Sequence, residues 1–254
     1  MLKVRVIPTL LWKNSTLIKG IGFDSWRRIG SVMQAVKVYN MRQVDELVFL
    51  DITATREGRK PDFDLVDDFA DDCFVPLTVG GGITTLDDVH KLLLAGADKI
   101  SLNTASIYNP YLIEEIANKF GSQCIVVSID FKRSSDGKFE VFTHSGTKSA
   151  GKDPVAHAVE IANRGAGEIL LTSINYDGTM QGYDIEMTKK VASAVQIPVI
   201  ASGGAGSYKH MLDVILEGSA SAVAAASIFH FTEQTPLESK IYLKKHGINT
   251  RLSQ

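Results

Sequence analysis

Asp45–Thr53 reads DELVFLDIT, and about 122 residues further on Gly167–Asn175 reads GEILLTSIN, a spacing far longer than a solenoid unit. The same offset carries PLTVGGG, Pro76–Gly82, onto PVIASGG, Pro198–Gly204, and Asp98 onto Ala220. The chain therefore divides into two similar halves. Eight short runs rich in Val, Ile and Leu can be followed along it: VRVIPTLL, ELVFLDIT, PLTVGGG, KISLNT, CIVVSID, EILLTSI, PVIASGG and AVAAASIF. Each is followed by a helix-length segment, and continuous apolar runs of this kind belong to parallel strands buried on both faces.

Two βαβαβαβα halves make eight units, which predicts a closed (β/α)8 TIM barrel, residues 1–254 forming a single domain of the usual size, about 250 residues. An open doubly wound sheet would need G-x-G-x-x-G after its first strand, and the chain lacks it. The helices also carry end signals. TLDDVHKLLLAGA starts at Thr85 as N-cap and closes at Gly96; NPYLIEEIANKFG has Pro110 in its first turn and ends at Gly121.

Composition narrows the partners. With 44% hydrophobic residues, net charge −2 and a pI near 6.3, there is no global field that gathers nucleic acid or an anionic membrane. Cys73 and Cys124 lie in apolar runs without metal-ligand spacing and are expected as reduced core residues. The histidines, among them His144 and His230, show no ligand spacing, so no metal role is assigned, and no cofactor is expected. The chain enters a strand at once, without a signal-peptide pattern, and no apolar run approaches the roughly 20 residues that span a bilayer. A soluble, cytoplasmic protein is expected.

In such a barrel the chemistry sits at the C-terminal ends of the strands, and alternation sorts side chains into layers. If Asp130 points inward, so do Ser128 and Val126; the matching frame on the first strand turns Arg5, Ile7, Thr9 and Leu11 inward. The other frames gather Arg5, Glu46, Lys99 and Glu168 at the bottom, two charges of each sign, for which mutual pairing is expected because an isolated buried ion costs several kcal/mol. The plain reading is a salt-bridge ring closing the floor. Above it, Thr78, Ser101, Ser128 and Thr172 put small polar groups where large aliphatic ones usually sit, as a path for a small polar molecule would require.

VGGGITT and SGGAGS each turn a strand into a helix at the top, exposing N–H groups at a positive dipole end. A single glycine-rich turn can arise from close packing alone. Two, related by the repeat, suggest a ligand with a phosphate at each end. Gly82, with Asn103 and Thr104, forms the first candidate site; Gly204, with Asp177, Gly178, Ala226 and Ser227, forms the second. The long stretch WKNSTLIKGIGFDSWRRIG is expected as a lid carrying Lys19 to a phosphate, or else as a flexible solvated loop.

DELVFLDITA, PLTVGGGI, AGADKISLNTAS, FGSQCIVVSID, GAGEILLTSINYDGT, GYDIEMT, PVIASGGAG and AASIFHF together resemble the HisF family, the cyclase subunit of imidazole glycerol phosphate synthase, over essentially the whole chain. The sister phosphate-sugar isomerase of histidine synthesis matches these segments less well. The resemblance implies a HisH-like glutaminase partner, forming a heterodimer on the floor near Asp98. It implies ammonia passing a gate at Arg5, Glu46, Lys99 and Glu168, phosphates on the two glycine sites, Lys19 in the lid, and Asp130 as a catalytic carboxylate.

One position departs. Where the family has a strand-one carboxylate that works with the one on strand five, this chain has Leu11, and Thr9 stands where a cysteine is usual. Losing one acid–base group costs about 10²–10⁴ in rate. The pattern resembles divergent HisF-like proteins of surface-polysaccharide synthesis, which operate with a HisH-like glutaminase and a separate sugar amidotransferase that converts an acetamido into an acetamidino group. Ammonia delivery is the first expectation. A cyclase-lyase of histidine synthesis with a relocated base, Asp51 or Asp177, is the second, and a scaffold without conduit function the third.

Overall fold

The computed structural model describes residues 3–134 and 136–252. Eight strands form the barrel: β1 (Arg5–Lys13), β2 (Leu47–Asp51), β3 (Leu77–Gly80), β4 (Lys99–Leu102), β5 (Ile125–Arg133), β6 (Glu168–Ser173), β7 (Val199–Ser202) and β8 (Ala222–Ala225). Each pairs in parallel with the next, and β8 pairs with β1, so the sheet closes. The helices α1 (Val32–Met41), α2 (Phe63–Ala70), α3 (Leu86–Leu94), α4 (Tyr111–Phe120), α5 (Pro154–Asn163), α6 (Ile185–Ala194), α7 (Tyr208–Leu216) and α8 (Pro236–Lys245) follow the strands in turn. This is the (β/α)8 barrel the repeat implies. Among the described residues, no helix is long and apolar enough to cross a membrane.

The end signals act as read. Thr85 and Asp88 form a reciprocal capping box on α3, satisfying two N–H groups that the first turn leaves open, and Gly96 beyond its end takes φ +96°. α4 stops where Gly121 takes φ +91°.

The strands bury both faces. Outward side chains such as Val6, Leu47, Phe49 and Val79 pack under the helices, while Ile7, Val48, Val126, Leu170, Ile200, Ala222 and Ala224 form a separate core inside the barrel. Cys124 is buried, but Cys73 is only half-buried, between α2 and β3, with its thiol on the Val75 carbonyl at 3.3 Å. Its segment, 71–76, is the turn between α2 and β3 rather than part of a buried element.

The segment after β1, expected as a lid or a loop, is a β-hairpin over the mouth. β1 runs past the rim into an antiparallel hairpin, Thr16–Ile21 with Asp24–Gly30, in register Leu11↔Ile18 and Lys13↔Thr16. Asn14 and Ser15, then Gly22 and Phe23, sit at positive φ as the two-residue turns of such hairpins need. β5, the repeat counterpart of β1, also extends into a hairpin, Phe139–Thr143 with Lys148–Ser149. Both hairpins rise over the same mouth, and Gly146 of the second packs near Phe23 of the first.

Candidate active site

At the floor the four charges form a closed alternating ring. Arg5 Nη1 bonds Glu46 at 2.6 Å and Glu168 at 2.9 Å; Lys99 Nζ bonds Glu46 at 3.0 Å and Glu168 at 3.2 Å. Burial works against the Arg5 charge, yet the two glutamates hold its pKa above the ordinary value. Each cation touches both anions, so no charge is left uncompensated. Asp98 is exposed at the same end, its carboxylate accepting from the Leu77 N–H at 2.8 Å. At the same end, Met41 and Leu94, at the ends of α1 and α3, and Phe74, in the loop after α2, are 75%, 73% and 80% exposed.

Between floor and mouth the interior is packed. Thr78, Ser101, Ser128 and Thr172 are all buried, as the alternation requires, but they share the space with Ile7, Val48, Val126 and Leu170. The polar groups line a partly aliphatic interior, and the ring below it is shut.

The mouth holds a cavity of about 260 Å³. Asp130 lies in its wall and is buried; Asn103 Nδ2 donates to one oxygen at 3.3 Å and Ser128 Oγ to the other at 3.2 Å. Burial pushes the Asp130 carboxyl up to about 7, with the Asp177 carboxylate adding to the rise and hydrogen bonds from Ser128 and Thr172 opposing it. A carboxyl poised there can take and return protons near neutrality.

Leu11 lines the same cavity. It pairs with Leu50 as Asp130 pairs with Thr172, and Leu50 and Thr172 are equivalent under the repeat. The two positions are therefore counterparts in the two halves, one an acid and the other a hydrocarbon.

The two carboxylates nearest in role are engaged elsewhere. Asp51 accepts from Thr53 N and Oγ1 and Ala54 N at 2.9–3.0 Å, and its other oxygen meets Arg59 at 3.2 Å. Asp177 accepts two bonds from Lys19 Nζ, at 2.7 and 2.8 Å, with Lys19 only 2% exposed. The Asp177 carbonyl also accepts from Gly22 N at 2.8 Å, so the first hairpin is latched onto the β6–α6 loop. Lys19 reaches the mouth as expected, but its charge is met by Asp177.

The glycine turns stand where the sequence puts them. At Gly82 a Cβ would lie 2.5 Å from the Arg59 carbonyl, and at Gly204 1.9 Å from that of Gly182, so backbone packing alone demands glycine at both. The Gly82 N–H donates to Thr55 Oγ1 at 3.3 Å. Asn103 and Thr104 start a short helix (Thr104–Tyr108) after β4; Thr104 Oγ1 donates to Asn103 Oδ1 and accepts from His144 N, both at 3.2 Å. Ala226 and Ser227 start its counterpart (Ser227–Phe231) after β8. Gly178 sits at φ +75° against the first hairpin, and Ser227 Oγ and Thr9 Oγ1 are buried on the cavity without a partner among the described residues.

Sequence reasoning passed over two features. Phe23, Trp26 and Tyr108 contribute an aromatic wall to the cavity, legible only once the hairpin is known. Lys60 Nζ bonds Asp88 at 2.8 Å and Thr84 Oγ1 at 2.9 Å at the start of α3, beside the first glycine turn; the basic residues in TREGRK, Thr55–Lys60, were the available signal. Among the described residues, no group of three or more His, Cys, Asp or Glu side chains is placed to hold a metal.

A closed barrel of two like halves, with paired glycine turns and a buried carboxyl at its C-terminal mouth, is an architecture that suits the HisF/HisA-like (β/α)8 synthases and isomerases. The family model for histidine biosynthesis proteins matches residues 5–235, and the chain belongs to that family.

Proposed function

We propose that the protein is the HisF-like subunit of a glutamine-dependent amidotransferase system. It receives ammonia from a HisH-like glutaminase on the floor and passes it to the mouth, for a separate sugar amidotransferase that forms acetamidino groups in lipopolysaccharide or O-antigen synthesis. The observation that carries this reading is Leu11, opposite in role to Asp130, above a fully assembled charge ring. Ring closure and cleavage in the resembled family use two carboxylates. Here Asp51 and Asp177, the groups that could replace the missing one, are tied to Arg59 and Lys19.

The exposed apolar side chains of Met41, Phe74 and Leu94, at the loops and helix ends on the floor side, support a partner there, since large apolar groups left open to water are a common mark of a docking face. On this reading the ring must open for ammonia to pass, and Ser101, Ser128 and Thr172 offer it hydrogen bonds above the aliphatic layer. A phosphorylated small molecule is the ligand that the two glycine turns suit.

A second reading, the cyclase-lyase of histidine synthesis, is favoured by the family match and by the Asp130 carboxyl near neutrality. One experiment separates the two. The protein is assayed with ammonium salts and the bisphosphorylated histidine-pathway substrate, and its glutaminase partner is assayed for glutamine hydrolysis alone and in complex. Stimulated hydrolysis with negligible cyclisation supports ammonia delivery; robust cyclisation overturns it in favour of the second reading.

A further inference from the structure

Behind the mouth, on the outer layer of the barrel, α5 carries a histidine that the chemistry above does not use. His157 is 1% exposed, and its Nε2 lies 3.2 Å from Ser106 Oγ in the short helix after β4. Ser106 Oγ, itself wholly buried, donates to the Asn103 carbonyl at 2.6 Å. A carbonyl only accepts, so the single serine proton is spent there and the histidine must be the donor, in the Nε2–H form. The Asn103 side chain then spans Ser128 O at 3.1 Å, Phe142 O at 3.2 Å and Asp130 Oδ2 at 3.3 Å. These bonds, joined through the covalent frame of Asn103, link an outer helix to the carboxyl in the cavity.

We propose that His157 is a positioning residue for Asp130, acting through Ser106 and Asn103 to fix the amide that donates to the carboxylate. The histidine fixes the rotor of Ser106; Ser106, with its own N–H at 3.1 Å, fixes the Asn103 carbonyl, and the residue so held presents its amide to β5. His157 is a permanent neutral donor: burial, then Lys152, push its pKa down to about 4, against the nearby Glu160. Among the described residues its Nδ1 has no hydrogen-bond partner, and it faces Glu160 Oε2 at 3.8 Å, a carboxylate already engaged by Lys152 at 2.8 Å. Asp130 in turn meets Asn103 just after β4, Ser128 on its own strand, Thr172 from β6, and the charge of Asp177, which carries Lys19. Among the described residues, Asn103 is the member of this set linked outward to α5.

The coupling is read directly on the carboxyl. Asp130 is followed by carbon-13 NMR across pH 4–9 in the full-length protein and in His157→Phe, His157→Gln and Ser106→Ala. The Asn103 bond favours the ionised form, so loosening it moves the Asp130 pKa up, by about 0.5 to 1 for the loss of part of a charge-assisted bond. His157→Phe and Ser106→Ala should show this rise, and the double variant should show no more than either alone. His157→Gln keeps an N–H donor at similar reach and should restore the wild-type value. Should His157→Phe fail to fold, Ser106→Ala and His157→Gln carry the test.

Asp130 titrating as in wild type in Ser106→Ala, or additive shifts in the double variant, would overturn the proposal. So would a His157→Gln value displaced as far as in His157→Phe. The functional weight of the coupling rests on the proposed function, in which the charge on Asp130 sets how the mouth holds or releases ammonia, but its measurement does not. A barrel in which these shifts appear while ammonia delivery fails refutes that function and leaves the coupling standing.

Discussion

Leu11→Asp puts a carboxyl at the position that register makes the counterpart of Asp130, on the wall of the same cavity. Two consequences can be worked from the structure. The half-buried leucine gives up apolar contact and a charge enters a partly desolvated wall, a cost of about 1–3 kcal/mol. A barrel of this size should then lose about 2–10 °C in Tm. The new carboxylate also faces Asp130, whose pKa is already about 7, and a like charge moves it further up. The pair titrates as a coupled unit, one member protonated where the other is ionised, which is the state that general acid and base steps require.

The assay is ammonium-dependent turnover of the histidine-pathway substrate by wild type, Leu11→Asp, and Leu11→Asp with Asp130→Asn. On the reasoning above, wild type is close to inactive. The single change raises the rate by about 10²-fold or more, the value of one acid–base group, and the added Asp130→Asn removes the gain. Wild-type turnover that Asp130→Asn abolishes would refute the reasoning outright. So would a folded Leu11→Asp protein with a coupled carboxyl titration and no gain in rate, since the missing group would then not be what limits the chemistry.

Three further outcomes follow from the same geometry. Asp130 is an acid whose folded pKa, about 7, lies above its ordinary value of 3.8, so the folded state holds the extra proton between those values and stability falls as pH rises through them; Asp130→Asn should be more stable than wild type at pH 8 by about 1–4 kcal/mol, with the gap closing toward pH 4 in denaturant titrations. Lys19→Met strands Asp177 in a buried setting and should cost about 3–5 kcal/mol; limited proteolysis should then cut the hairpin between residues 14 and 30, and an uncut hairpin would show that the pair is not its latch. Glu46→Gln leaves Arg5 and Lys99 sharing Glu168 alone, so it should lower the unfolding midpoint and slow glutamine-driven amidotransfer more than transfer from free ammonia.

The barrel was legible because duplication, strand-length apolar runs and helix end signals all say the same thing. Thr85, Gly96 and Gly121 do locally what the fold needs globally. Alternation alone brought Arg5, Glu46, Lys99 and Glu168 into one layer, and in the fold they close into a ring. What the sequence hid depends on pairing partners rather than on pattern. KNST and IGFD are hairpin turns only when Lys13 and Ile21 have strands to pair with, so the segment reads equally well as a loop. The engagement of Lys19 with Asp177, 158 positions away, and of Asp51 with Arg59 are contacts that no local pattern reports. The same is true of the path from His157 to Asn103, which runs between α5 and the helix after β4.

Those hidden contacts change what the mouth can do. A site with two ionised carboxylates would hold ammonium as a counter-ion and keep it for chemistry in place. Here Leu11 removes one of the two charges, Lys19 neutralises Asp177, Arg59 meets Asp51, and Asp130 is near its midpoint at neutral pH. The electrostatic trap for a cation is thereby weakened while hydroxyl groups at Thr9 and Ser227, buried on the cavity without partners, stay available to a neutral hydrogen-bonding guest. Under the proposed function this is the expected design for ammonia that must leave the barrel rather than react in it. The Leu11→Asp protein should therefore both gain cyclisation and deliver less ammonia onward, and a gain in one without a fall in the other would separate retention from chemistry.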